Sequence, residues 1–238
     1  MKLAGIIAIV TGAGRGIGRG IALTFAREGA DVAIASRTGL ELETLAEEIR
    51  ALGCRVLVQP TDVTQEDQVQ LLVDRTLAEF GRVDVLVNNA GTIVLPGDIL
   101  QTSLQAWEKM MAAHARSVFL CCKAVLQTMI ECRKGKIINI SSAAGLRGLP
   151  DRAAYCASKF AVTGFTEALA LDMKPYGIAV NAICPGAVDT PLTSISRPDD
   201  DKTGWMKPKD IADVALFLAS DDSRAMTGAI VEVSGWAG

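Results

Sequence analysis

The 238-residue sequence predicts a single doubly wound α/β domain, residues 1–238, on a mainly parallel sheet of about seven strands. Three observations predict it. Short continuous apolar runs recur along the chain and alternate with longer stretches of helical periodicity. The first run ends in a glycine-rich turn that opens a helix, the arrangement of a nucleotide-binding strand–turn–helix unit. Polar residues able to do chemistry fall where later runs end, and no linker, internal repeat or low-complexity segment interrupts the alternation.

Residues 3–10 form an apolar run suited to a strand covered on both faces. Thr11-Gly12-Ala13-Gly14-Arg15-Gly16-Ile17-Gly18 follows, then a helical pattern through Ile21, Leu23 and Phe25 to Gly29. Glycines let the backbone approach a pyrophosphate, and free N–H groups at the helix start, with its dipole, hold the anion. Gly12, Arg15, Gly16, Ile17 and Gly18 are therefore candidate cofactor contacts. A glycine turn alone could be merely a tight loop; the strand before it and the helix after it argue against that.

The second strand, residues 32–35, ends in Ser36-Arg37. An acidic residue here would accept bonds from ribose hydroxyls and repel a 2′-phosphate. None stands at this point, and Arg37 with Arg15 offers two guanidiniums to a phosphate dianion. Either could be an ordinary solvated charge, but the missing carboxylate favours NADP(H). A helix over 40–52 leads to a third strand at 55–59, closed by Thr61-Asp62-Val63-Thr64. Asp62 is placed either to meet the adenine, with Val63 beside it, or to begin the next helix. That helix ends near Phe80-Gly81. The fourth strand, 83–87, ends in Asn88-Asn89-Ala90-Gly91, of which the last three are candidate cofactor contacts.

Residues 103–132 read as one long apolar helix, 136–141 as the fifth strand and 153–174 as the next helix. Tyr155 and Lys159 are four apart on that helix and share a face. An ammonium one turn from a phenol favours the phenolate and lowers its pKa, making Tyr155 a usable proton donor or acceptor. Ser142, at the end of the fifth strand, would present a hydroxyl beside it. A sixth strand, 178–184, ends in Pro185-Gly186-Ala187-Val188-Asp189-Thr190. Residues 193–207 look like a mobile surface loop, followed by a helix at 208–219 and a last strand at 229–233.

Composition narrows the function. Half the residues are hydrophobic and the net charge is −3, which favours neither nucleic acid nor a membrane surface as partner. Six cysteines without a C-x-x-C pair and a single histidine argue against a metal site and for reduced thiols in a cytoplasmic protein. No apolar stretch reaches membrane-spanning length.

Taken together, Thr11-Gly12-x-x-x-Gly16-x-Gly18, Asn88-Asn89-Ala90-Gly91, Ser142 with Tyr155-x-x-x-Lys159, and Asn181 leading to Pro185-Gly186 resemble the short-chain dehydrogenase/reductase family over nearly the whole chain. The resemblance implies a Rossmann-type fold and conversion of a ketone and NADPH to an alcohol. Ser142 would hold the substrate oxygen and Tyr155 would pass the proton. Lys159 would lower the tyrosine's pKa and, with Tyr155, lie against the nicotinamide ribose. Val188 and Thr190 would meet the nicotinamide end, while Asn181 braces its strand. One departure matters: where the family usually carries an asparagine that helps position a water in a proton relay, this chain has His114, whose ring could hold that water instead.

The short stretch between Thr190 and Pro208 suits an open site, hence a 3-oxoacyl thioester on an acyl carrier protein; Arg133 and Lys134 offer positive charge to an acidic carrier, though a solvated helix end explains them equally well. Other small carbonyl or alcohol substrates remain compatible. Apolar outer faces on the two helices around 110–129 and 153–174 imply a homodimer or homotetramer. A nucleotide-binding regulator with weak or no turnover, or a nucleotide-sugar epimerase, is the alternative function.

Overall fold

The computed structural model describes residues 1–95 and 97–235. Seven parallel strands form one sheet in the order β3-β2-β1-β4-β5-β6-β7: β1 Ile7–Thr11, β2 Asp31–Ser36, β3 Val56–Pro60, β4 Val85–Asn88, β5 Gly135–Ile140, β6 Ile178–Pro185 and β7 Ile230–Val233. The helices are α1 Gly16–Arg27, α2 Gly39–Ala51, α3 Glu66–Phe80, α4 Leu104–Met111, α5 Ser117–Cys132, α6 Ala153–Met173, α7 Pro191–Ser196 and α8 Pro208–Ala219.

Side chains alternate across each strand and build two cores. Ala8 and Val10 of β1 face Ile21 and Phe25 of α1, Leu45 of α2 and Ile211 of α8. Ile9 faces the opposite layer, with Leu72 of α3, Val125 of α5 and Val162 of α6. Strand order reverses between β1 and β4, which parts the connections and opens a crevice at the carboxyl ends of the strands.

Three expected boundaries change. The first strand begins at Ile7 rather than residue 3, because Gly5 takes a positive φ and the Ile6 N–H turns back to the Leu3 carbonyl. The long helix expected over 103–132 is interrupted by a π-helical turn at Ala112–Arg116. Ser117 contributes to that turn by donating its hydroxyl to the Ala113 and His114 carbonyls. The expected loop at 193–207 overlaps a short helix: the Thr190 hydroxyl caps it by accepting from the Thr193 N–H, and Pro191 occupies its first turn. A Lys207–Asp189 ion pair at 2.9 Å closes the base of this segment.

Candidate active site

The glycine turn sits tightly against the end of β4. Gly12 adopts φ +64°, and a Cβ there would lie 2.8 Å from the Ala90 Cα. A Cβ on Gly18 would collide with the Gly12 carbonyl and the Asn89 amide, so that glycine lets α1 pack onto the strand ends. The Thr11 hydroxyl accepts from the N–H groups of Asn89 (3.0 Å) and Ala90 (3.2 Å). The Asn89 side chain returns the bond by donating to the carbonyls of Thr11 and Gly12. Arg15, at the head of α1, makes no side-chain cap bond. The first N–H groups of that helix thus remain available to an anion.

Around this turn lies a cleft of about 430 Å³, within the range of small-molecule and cofactor sites. Its walls include Gly12, Arg15, Gly16 and Ile17, then Arg37, Asp62 and Val63 at the ends of β2 and β3. Asn89, Ala90 and Gly91 follow, then Val188 and Thr190. Gly18 lies behind the wall. The Asp62 carboxylate accepts from the N–H and hydroxyl of Thr64, and Asn181 braces its strand by bonding Met226 and Ala229. His114, Ser142, Tyr155 and Lys159 complete the same cleft.

Lys159 is buried and donates its ammonium to the Ile140 carbonyl at 3.0 Å. Burial lowers its pKa from 10.5 to about 8. The Ser141 hydroxyl fixes the helix beneath it by donating to the Lys159 carbonyl. Tyr155 departs from the sequence expectation. Burial raises its pKa above the ordinary phenol value, opposed by the Ser142 hydroxyl and more weakly by the charges of Arg197 and Arg152. Lys159, with Nζ 5.9 Å from the phenol ring centroid, faces a backbone carbonyl instead of the phenol oxygen. A helical i,i+4 spacing set a shared face but not where the ammonium points.

His114 is held on both sides. Its Nε2 accepts from the Thr92 N–H at 3.1 Å, which leaves the proton on Nδ1. That N–H meets the Ser158 hydroxyl at 2.9 Å, and Ser158 donates to the Tyr155 carbonyl at 2.7 Å. The ring packs edge-on against the Tyr155 ring, centroids 5.6 Å apart. Burial and the charge of Lys159 hold the imidazole pKa well below 6.5. With both nitrogens engaged inside the protein, the ring has no free position for the water expected from sequence. Thr92 and Ser158, the partners responsible, carried no sequence signal beyond polarity.

Two further expectations are revised. Arg133 and Lys134 precede β5, at the sheet edge opposite the cleft, and Arg133 donates to the Pro175 carbonyl. Neither lines the cleft. A carboxylate also reaches the end of β2 after all: Glu41, from the first turn of α2, lines the cleft. Among the described residues no group of three or more His, Cys, Asp or Glu could hold a metal, the six cysteines are free, and no helix is long and apolar enough to cross a membrane.

The short chain dehydrogenase family profile matches residues 6–201. The chain belongs to the short-chain dehydrogenase family. It is 40% identical over 241 residues to a 3-oxoacyl-[acyl-carrier-protein] reductase of Chlamydia trachomatis, covering 96% of this chain and 95% of that one. A 3beta-hydroxysteroid dehydrogenase of Mediterraneibacter gnavus is 34% identical, with 96% and 93% covered. Among solved structures, levodione reductase superposes with a TM-score of 0.93 at 30% identity, with 97% and 96% covered. An actinorhodin polyketide ketoreductase with NADPH gives 0.92 at 32%, with the same coverage. As a short-chain dehydrogenase this chain is an oxidoreductase acting between carbonyl and alcohol, with NAD(H) or NADP(H) as cofactor. The open α1 N-terminus and the close-packed glycine turn fit a dinucleotide pyrophosphate.

Proposed function

We propose that residues 1–238 act as one NADPH-dependent carbonyl reductase unit that interconverts a ketone and a secondary alcohol. The observation that carries this reading is the meeting of Ser142, Tyr155 and Lys159 in one cleft with the glycine turn. The cofactor would lie along Gly12, Arg15, Gly16 and Ile17, with Arg15 and Arg37 near its 2′-phosphate and Val188 and Thr190 at the far end. When bound, it supplies or accepts a hydride at the carbonyl carbon. Ser142 donates a hydrogen bond to the carbonyl oxygen and Tyr155 gives up its phenolic proton there, a role suited to a phenol that burial keeps protonated. Lys159 holds positive charge beneath the site, stabilising the phenolate left behind. His114 acts by position, tying the segment after β4 to the backbone of α6.

The relatives support a 3-oxoacyl thioester as substrate, presented by an acyl carrier protein, though the steroid and dione names among them keep other ketones in view. The deciding experiment follows NADPH consumption with a panel of ketones that includes a 3-oxoacyl thioester. Tyr155→Phe should remove most turnover, about 10²-fold or more, while NADPH binding persists. Substantial residual rate would assign the proton to another group.

The chain is further proposed to assemble as a homodimer or homotetramer through the outer faces of α4–α6, where Trp107, Phe119, Phe160 and Leu171 are exposed. Sedimentation at micromolar concentration should show more than the monomer; monomer alone would refute the assembly.

A further inference from the structure

We infer that Glu41 sets how strongly the cleft distinguishes NADP from NAD, weakening the NADP preference that Arg15 and Arg37 confer. This rests on the cofactor reading above. β2 ends at Ser36, where an open α/β sheet receives the adenosine ribose. Arg37 follows it and Arg15 approaches from the glycine turn, so the position looks built for a 2′-phosphate. Helix α2 then brings a carboxylate to the same spot.

Three details place that carboxylate. Glu41 Oε2 lies 2.6 Å, and the Ser36 hydroxyl 3.2 Å, from where a Cβ on Gly14 would sit. Gly14 is buried and does not have the positive φ of Gly12, so its lack of a side chain serves space, and Glu41 uses that space. Glu41 Oε1 is 3.9 Å from Arg15 Nη1, so the cation expected to meet a 2′-phosphate is partly neutralised by its neighbour. Arg37 makes no ion pair among the described residues. The end of β2 therefore carries two cations and one anion. A carboxylate accepts hydrogen bonds from ribose hydroxyls and repels a phosphate dianion, whereas guanidiniums do the reverse. With both present, NADP remains preferred but by a smaller margin.

The test uses the two adenosine fragments that differ only at this position, 2′,5′-ADP and 5′-AMP, titrated calorimetrically against the folded protein. Glu41→Gln keeps size and removes charge. It should tighten 2′,5′-ADP by about tenfold, the scale of a screened charge–dianion contact. It should leave 5′-AMP unchanged or up to about threefold weaker, the scale of one hydrogen bond. Arg15→Gln provides the converse, weakening 2′,5′-ADP while 5′-AMP stays within about twofold. Melting curves of both variants verify folding. If Glu41→Gln shifts both fragments by the same factor, or neither, Glu41 does not discriminate and the inference fails while the cofactor reading stands. If neither fragment binds the unaltered protein, the cofactor reading fails and takes this inference with it.

Discussion

Lys159→Met should make the protein more stable at neutral pH while abolishing turnover. The ammonium is almost fully buried, and burial lowers its pKa from 10.5 to about 8. That difference corresponds to about 3 kcal/mol spent keeping the folded lysine charged. Its sign follows from proton counting. Between about pH 8 and 10.5 the unfolded chain binds a proton that the folded chain has released, so stability rises with pH across that window. Below about pH 8 the whole penalty is present. Methionine fills similar volume without charge, but the Ile140 carbonyl loses its donor, at about 1 kcal/mol. The net expectation is a gain of about 2 kcal/mol at pH 7, or about 4–8 °C in Tm for a chain of this size. Urea unfolding of both proteins over a pH series measures it. The gap should be widest at neutral pH, close as pH rises, and reverse slightly near the ordinary lysine pKa. A variant no more stable at pH 7, or a gap independent of pH, would refute the argument. In the proposed mechanism the charge has a use that offsets this cost, because a phenol raised by burial needs a cation nearby to release its proton.

Three other outcomes follow from the same geometry. Because burial and Lys159 hold the His114 pKa well below 6.5 and both ring nitrogens are engaged, the pH–rate profiles of the wild type and His114→Asn should superimpose in shape through the ordinary histidine range. His114→Ala should cost about 2–4 kcal/mol of stability by opening a cavity and leaving the Thr92 N–H and Ser158 hydroxyl short of partners. An inflection in the wild-type profile that vanishes in the asparagine variant would restore a proton-transfer role. Gly18→Ala should lower the urea midpoint by the equivalent of about 2 kcal/mol and weaken nucleotide binding, since its methyl group meets the Gly12 carbonyl and Asn89 amide. An unchanged midpoint would show that the turn has room to spare.

Local pattern determined much of this protein. Apolar runs bounded by turn residues located all seven strands, because strand burial and turn chemistry are written within a few consecutive residues. The glycine turn, Ser142 and the Tyr155–Lys159 pair were legible for the same reason, and parallel strands ending at one edge implied that they meet. What adjacent residues do not encode was decided by tertiary packing. Glu41 belongs to α2 in sequence, yet the docking of that helix carries its carboxylate over Gly14 and beside Arg15. The apolar run around Met110 to Val125 reads as unbroken helix, yet the turn at Ala112–Arg116 becomes π-helical, with His114 seated between Thr92 and Ser158. Arg133 and Lys134 read equally as charge for an acidic carrier or as a solvated helix end, and strand direction puts them at the sheet edge opposite the cleft. The Tyr155–Lys159 spacing promised a tuned phenol; the dielectric around it, a property of everything packed nearby, raised the phenol and lowered the amine instead. Spacing sets which residues share a face. Burial, and the partners that arrive from distant parts of the chain, set which charge each one carries.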